Sequence, residues 1–290
     1  MNKIRVSIVL PCYNGADLLG SAIKSCINQT YKDWELIIIN DCSTDKTLEV
    51  ANSYAQIDSR IKVFTNEKNS KLPVSLNNGF KNATGEYWTW TSDDNLLHPT
   101  MIEDMVNFLD ENKEVGFAVS DYNIIDINGN VVEEVYIPDD VNLLLPLNNY
   151  IGASFMYRKE YAIEVGEYNK DLFLVEDYDY WLRLNNVCKL KRLPKCLYSY
   201  RKHGGSLTET RKEEIRVKLL ELRLKYLKQT ENLLKGHSKK LSLYYYRIVD
   251  NLKGKERFKY YLDFSKKMPI SFGLKYILVH LPNKLIKNIK

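Results

Sequence analysis

The sequence predicts an α/β fold: a mixed, mainly parallel central sheet covered by helices, followed by a basic helical segment. Three observations carry this. Short apolar runs alternate with amphipathic stretches through the first part of the chain. The early apolar runs end in polar turns. The charge then changes sign: residues 1–205 carry 21 Lys+Arg against 29 Asp+Glu, and residues 206–290 carry 21 against 8. A boundary is expected there, between an acidic α/β domain (1–205) and a basic helical region (206–290) suited to an anionic surface.

The elements follow in order. Val6-Ser7-Ile8-Val9-Leu10, closed by Pro11, reads as a buried strand. Leu18/Leu19, Ala22/Ile23 and Cys26/Ile27 recur at helical spacing, predicting a helix over about 16–28. Trp34 to Ile39 is a second buried strand, stopping at the polar turn Asn40 to Asp45. A helix over 47–55 and a strand over 61–64 come next. A short helix over 73–83 leads to a strand over 86–90, which runs into Thr91-Ser92-Asp93-Asp94-Asn95. Such strand–helix alternation predicts a parallel sheet, with ligands gathering beyond the carboxyl ends of its strands. Pro99 opens a helix with Ile102, Met105, Val106 and Leu109 on its apolar face, and Val115 to Val119 is a strand. Asn128-Gly129 signals a hairpin. The stretch 133–151 is weakly patterned and reads as loop. Glu176 to Leu184 is helical with an acidic start, and 190–200 is a strand interrupted by Pro194. After Gly204-Gly205 the chain turns to long Lys/Arg-rich helices.

Composition narrows the function classes. The chain has 290 residues, 44% hydrophobic and 27% charged, enough for a sizeable core, so global disorder is excluded. Five cysteines with no CxxC pair argue against a disulfide framework or zinc site; a reducing compartment and buried thiols are expected. The apolar run near the N-terminus leads straight into a turn without a small-residue cleavage site, so no secretory signal is expected. No stretch reaches the roughly 20 apolar residues of a membrane span. The best candidate, Ile270 to Leu281, is shorter and contains Lys275 and His280.

Several polar residues stand where chemistry is expected. Asp93 and Asp94 end a strand; adjacent acids there point different ways, so one can ligate a hard cation such as Mn²⁺ or Mg²⁺ while the other holds a ribose or shares the ion. By itself the run is also ordinary turn chemistry. Asp41 ends a neighbouring strand, where a carboxylate can accept a hydrogen bond from a base N–H. Capping of the following helix falls to Ser43 or Asp45, leaving Asp41 free. Tyr13 and Asn14 follow the first strand, where a tyrosine can stack on a nucleobase. Asp177, beside Glu176, is a candidate general base, held rigid by Trp181 and Leu182; Asp179 is the competing acid but faces elsewhere on the helix. His203 is a candidate metal ligand or phosphate contact.

Together VSIVLPCYNGADLL, QTYKDWELIIINDCSTDKT, NNGFKNATGEYWTWTSDDN, VEDYDYWLRL and SYRKHGGSLT resemble the family 2 glycosyltransferases, in that family's order, over residues 4–208. The resemblance implies a GT-A fold and a metal-dependent, inverting transfer of a sugar from a nucleotide-sugar donor, a uridine diphosphate sugar first, to a hydroxyl of a glycan or lipid-linked acceptor in cell-surface polysaccharide synthesis. It implies nucleoside contacts at Pro11, Tyr13 and Asp41, with Asp93 near the ribose. It implies Asp94 as the principal ligand of Mn²⁺ or Mg²⁺, Asp177 as the base, and His203 near metal and diphosphate. Two departures stand out. Asn40-Asp41-Cys42-Ser43 replaces the family's Asp-Asp-Gly-Ser, and Ser75-Leu76-Asn77-Asn78-Gly79 lacks the arginine common before the glycine of the middle motif; Lys71 and Lys81 are candidates to replace it. The expected setting is cytoplasmic and peripheral to the inner face of the membrane. An inactive scaffold of the same fold is the alternative, opposed by the intact acids. A nucleic-acid binder is disfavoured because the basic tail carries no motif for it, and a dinucleotide-binding dehydrogenase because G-x-G-x-x-G is missing after the first strand.

Overall fold

The computed structural model describes residues 4–267. They fall into two compact units, one comprising the chain up to Leu145 with Asn149–Lys212, the other Pro146–Asn148 with the chain from Glu213.

In the first unit β1 (Val6–Cys12) leads to α1 (Ala16–Ile27), β2 (Trp34–Asn40) to α2 (Thr47–Ile57), and β3 (Ile61–Thr65) to α3 (Leu72–Lys81), before β4 (Tyr87–Trp90). β1 and β2 are buried at every position. That is why they read as unbroken apolar runs: strands covered on both faces have no solvent side to alternate with. β1 pairs in parallel with β2 and β4, and β2 with β3. The expected parallel alternation is therefore present, and the carboxyl ends of β1, β2 and β4 lie at one edge.

The chain continues through β5 (Leu96–Leu97), α4 (Met101–Glu111), β6 (Val115–Ile125), β7 (Val131–Val135), α5 (Val141–Leu144), β8 (Phe155–Arg158), α6 (Lys159–Val165), α7 (Glu176–Val187), β9 (Lys189–Arg201) and α8 (Leu207–Thr210). The strand order is β3-β2-β1-β4-β8-β6-β9-β5, with β7 beside β6. The sheet is mixed: β8 runs antiparallel to β4 and β6, β7 to β6 and β5 to β9, while β9 returns parallel to β6. The predicted hairpin joins β6 to β7, with Gly129 at φ 90° in its turn. The stretch expected as loop contains the end of β7 and the single turn α5.

Two close approaches set the helices and strands. A Cβ on Gly79 of α3 would meet Val9 Cγ1 at 2.3 Å and Ile39 Cγ1 at 3.3 Å, so glycine lets α3 lie against β1 and β2. At the other edge of the sheet, buried Glu35 accepts from the Ser7 hydroxyl, the Thr84 N–H and hydroxyl, and Lys62 Nζ. That acid is fully engaged in joining β1, β2 and the approach to β4. The cysteines divide: Cys12 and Cys26 are buried as expected, Cys42 and Cys188 partly so, and Cys196 is exposed, contrary to expectation.

The second unit contains α9 (Lys212–Lys225) from Glu213 onward, α10 (Leu227–Leu233), α11 (Ser238–Asn251) and α12 (Gly254–Ser265). Its core uses Leu222, Tyr226, Leu234, Tyr244, Tyr245, Ile248 and Phe264. Tyr245 stacks on Phe264 with ring centroids 4.1 Å apart, and the Tyr244 hydroxyl donates to the Arg223 carbonyl at 2.5 Å. Among the described residues no helix is long and apolar enough to cross a membrane. The stretch Ile270 to Leu281 lies outside the described residues.

Gly79→Ala should lower stability by about 1–3 kcal/mol, because β-branched Val9 has little rotamer freedom with which to yield. A thermal melt indistinguishable from wild type would refute the close-approach account.

Candidate active site

The site is built where the turns after β1, β2 and β4 meet. Asn14 joins the first two: its N–H donates to Ser43 Oγ at 3.0 Å, and its Oδ1 accepts the Thr44 N–H at 2.8 Å. Asp45 is the capping acid. It accepts from the Thr47 N–H and hydroxyl, and from the Ala16 N–H at the start of α1. Ser43 serves Asn14 instead. Pro11 is buried within β1, opposite Ile39, and Tyr13 stands 47% exposed at the rim.

Asp41 is not free, which corrects the sequence-based expectation. Its Oδ1 accepts from Asn66 Nδ2 and the Ser70 N–H, and its Oδ2 from the Lys71 N–H, each at 2.8 Å. The carboxylate thus shapes the segment leading into α3. An open cleft of about 310 Å³ beside it is lined by Thr65, Asn66, Glu67, Lys68, Ser70 and Asn78.

Asp93 and Asp94 point apart, as expected. Asp93 turns toward β1, where its carboxylate accepts the Tyr13 N–H and lies against Gly15. Burial, then the charge of Asp94, pushes the Asp93 carboxyl up to about 7; the Tyr13 N–H and His203 oppose the rise. Two adjacent acids that cannot both ionise at low cost make a place where a cation is favoured. Asp94 turns toward the end of β9. Its Oδ2 lies 3.0 Å from His203 Nε2, while its Oδ1 is buried without a hydrogen-bond partner among the described residues.

Arg201 completes this corner. Its Nε donates to the Asp94 carbonyl at 2.8 Å, its N–H to Asn95 Oδ1 at 2.7 Å, and its Nη1 to the carbonyls of Asp126 and Ile127. Neither Arg201 nor Asn95 was singled out by the sequence; both act through contacts between residues distant in the chain, which no local pattern signals.

Asp177 lies at the first turn of α7. Its Oδ1 accepts the Tyr178 N–H at 2.6 Å and its Oδ2 accepts from Asn149 Nδ2 at 3.0 Å. Burial raises its carboxyl above the usual range, and these two bonds oppose the rise. The helix is anchored as expected by fully buried Trp181 and nearly buried Leu182. Asp179 is engaged elsewhere, accepting from Arg183 Nε at 2.9 Å.

Shared neighbours show which acids converge. After burial, the charges of Asp93, Asp45 and Asp41 act together to raise the Cys12 thiol. Burial likewise raises the Tyr200 phenol; a Thr208 hydrogen bond opposes it, and the charges of Asp94, Glu209 and Asp177 add to it. The charges of Asp41 and Asp93 thus both reach Cys12, and those of Asp94 and Asp177 both reach Tyr200. The backbone is strained at the same places. Among the described residues the non-glycine positions with positive φ are Asn14, Cys42, Lys71 and Leu174, each beside or bonded to a site residue or just before α7.

Residues 7–166 match the profile described as Glycosyl transferase family 2. The chain belongs to that family. An uncharacterized glycosyltransferase of Rickettsia conorii is 37% identical over 198 residues, covering 64% of this chain and 32% of that protein. The match thus spans about a third of that relative. Among solved structures, S. aureus TarS residues 1–349 in complex with UDP-GlcNAc superposes with a TM-score of 0.66 at 17% identity, covering 92% of this chain and 82% of that one. The mannosyltransferase PcManGT of Pyrobaculum calidifontis, in complex with GDP-Man and Mn²⁺, gives 0.57 at 14% identity, covering 100% and 79%. The α/β unit of this chain has the GT-A fold.

The residues around the family's missing arginine can be placed. Leu76 is fully buried. Lys71 gives its backbone N–H to Asp41, and Lys81 Nζ lies 3.5 Å from Glu167 at the surface.

A Cβ on Gly15 would stand 2.1 Å from Asp93 Oδ2. Gly15→Ala should therefore displace Asp93 and lower transferase turnover by at least about tenfold, a loss of roughly 1.4 kcal/mol in transition-state stabilisation. Wild-type turnover in a folded Gly15→Ala protein would show that the contact is dispensable.

Proposed function

We propose that this transferase moves a sugar from a nucleoside-diphosphate donor, of uridine type, to a hydroxyl of a glycan or lipid-linked acceptor in cell-surface polysaccharide synthesis, with inversion at the anomeric carbon. The observation that carries the reading is that Asp94 lies 3.0 Å from His203 with its Oδ1 buried and unpartnered among the described residues, while the charges of both Asp94 and Asp177 reach Tyr200.

The donor set fits a divalent cation in one respect: Asp94 Oδ1 is buried and unpartnered, and His203 Nε2 lies beside the same carboxylate. Among the described residues no three His, Cys, Asp or Glu side chains gather as a closed metal site. A hard cation can take part of its oxygen coordination from substrate phosphates and water. Asp94 and His203 would hold Mn²⁺ or Mg²⁺, which supplies charge neutralisation for the departing diphosphate. PcManGT with its Mn²⁺ supports this, and TarS with UDP-GlcNAc supports the uridine donor.

The chain's own residues do the rest. Tyr13 offers an aromatic face to the base, with Pro11 and Asn14 shaping that turn. Asp41 holds the segment beside it, and Asp93 faces the ribose. Asp177 takes the proton of the acceptor hydroxyl as its oxygen bonds the anomeric carbon from the face opposite the diphosphate. The carbon–oxygen bond to diphosphate breaks and its electron pair leaves with the phosphate. Attack opposite the leaving group inverts the centre.

Asp177→Asn should keep donor binding and abolish transfer; retained transfer would remove Asp177 as the base. Asp94→Ala should lose Mn²⁺-dependent donor binding in a calorimetric titration. Because burial raises the Asp177 carboxyl and the base must be ionised, transfer should fall as pH drops through that raised value. The acid limb of the rate profile should lie above the ordinary carboxyl range, and a limb within that range would contradict the assignment.

The basic region 206–290, set off from an acidic 1–205, is read as resting on an anionic membrane at its cytoplasmic face, near a lipid-linked acceptor. Each Lys or Arg at such a surface contributes about 1 kcal/mol. Co-sedimentation with vesicles should increase with anionic lipid and decrease with salt; insensitivity to both would exclude this placement.

A further inference from the structure

Asp177 is met by a side chain that neither the motifs nor the family roles point to. Asn149 Nδ2 donates to Asp177 Oδ2 at 3.0 Å, while Asn149 Oδ1 is buried without a hydrogen-bond partner among the described residues. The neighbouring chain is well fixed. The Tyr178 hydroxyl donates to the Leu145 carbonyl at 2.7 Å, and Asn185 Nδ2 to the Asn142 carbonyl at 2.9 Å, so α7 grips the chain before Asn149 at two points. After it, Ile151 is buried, and Gly152 lies so close to Tyr122 that a Cβ would stand 2.4 Å from its ring.

We propose that Asn149 is a positioning residue for the proton-accepting step, holding Asp177 Oδ2 through its amide N–H while keeping Oδ1 in reserve for the protonated acid. This deepens the reading of Asp177 as base and rests on it. An amide carries donors on one side and an acceptor on the other. Nδ2 suits a carboxylate, which only accepts. Once Asp177 has taken the acceptor proton it becomes a donor, and a half-turn of the amide presents Oδ1 to that hydrogen. The same side chain can then satisfy both states of the base. An N–H bonded to the charged form favours that form, opposing the burial that raises the group.

The other groups around Asp177 do not perform this task. Asp179 is held by Arg183. Glu176 precedes it on α7. Tyr168 and Tyr200 feel its charge, but burial is the leading cause that raises both phenols, so they face it as neutral groups near neutral pH.

The test uses the full chain. Asn149→Ala should leave donor affinity unchanged and move the acid limb of the rate profile upward by about one pH unit, lowering kcat about tenfold at pH below the wild-type limb, with the loss shrinking as pH rises. Asn149→Asp, of nearly the same shape, should move the limb further, since a second carboxyl at that distance competes for the proton; it carries the test should the alanine variant fail to fold. A limb that stays in place in the folded variants, with the rate reduced equally at every pH or not at all, would overturn the proposal while leaving Asp177 as base. An active Asp177→Asn enzyme would overturn both.

Discussion

Two carboxylates stand side by side where β4 ends, and they are taken largely out of water there. Desolvated like charges repel, and the first response of such a pair is for one to hold its proton. The surrounding structure works against that repulsion. Gly15 has no side chain, so Asp93 can lie against the turn after β1 and accept the Tyr13 N–H. Asp94 is turned the other way, to His203, and its own carbonyl is held by the Arg201 guanidinium. Remove the return of β9 and Asp94 loses both partners at once. The site therefore depends on the far end of β9 and the residues just after it, where Arg201 and His203 stand 107 and 109 positions along the chain from Asp94.

That return has a particular geometry. β9 runs parallel to β6, but the register slips where Ser120 faces Leu193, Asp121 faces Cys196 and Tyr122 faces Tyr198. The irregularity contains Pro194, which cannot donate to the ladder. Five steps along β9 match two along β6, an odd excess, and an odd excess turns the following side chains to the opposite face. Tyr198 and Tyr200, two apart beyond the slip, lie on one face, and the Asp94 charge reaches both. The proline that interrupts the apolar pattern is thus part of what aims the end of the strand at the site.

Much of this was legible in the amino-acid sequence. The buried strands were plain because β1 and β2 are largely apolar, α1 and α4 because their apolar residues repeat at helical spacing, and α7 because its start is acidic. β5 and β8 were not read: two or four residues are too few for a period, and Phe155–Arg158 runs directly into α6. Among candidate site residues, Asp93, Asp94, Asp177 and His203 could be singled out because acids and histidine at strand or helix ends carry chemical meaning. Arg201, Asn95 and Asn149 were not, since their importance comes from bonds to residues far along the chain. Asp41 shows the converse limit. Its place at the end of β2 was legible, but whether a carboxylate is free depends on what folds onto it, and the 66–71 segment does.

The partners of Asp41 also bear on how this chain departs from its family. Where an arginine is common, Leu76 is fully buried against the sheet and cannot carry charge. The nearest change of character upstream is Lys71, an exposed residue at φ 72°, ψ 166°, a conformation nearly confined to glycine. A lysine persists in that conformation only when its surroundings hold it there. The Lys71 N–H bond to Asp41 Oδ2, beside the Ser70 N–H bond to Oδ1, supplies that hold. Asp41 is thereby committed twice, once by position at the end of β2 and once as the anchor of a strained turn at the start of α3. That turn and Asp41 therefore act as one structural unit, and a change to either should be felt by both.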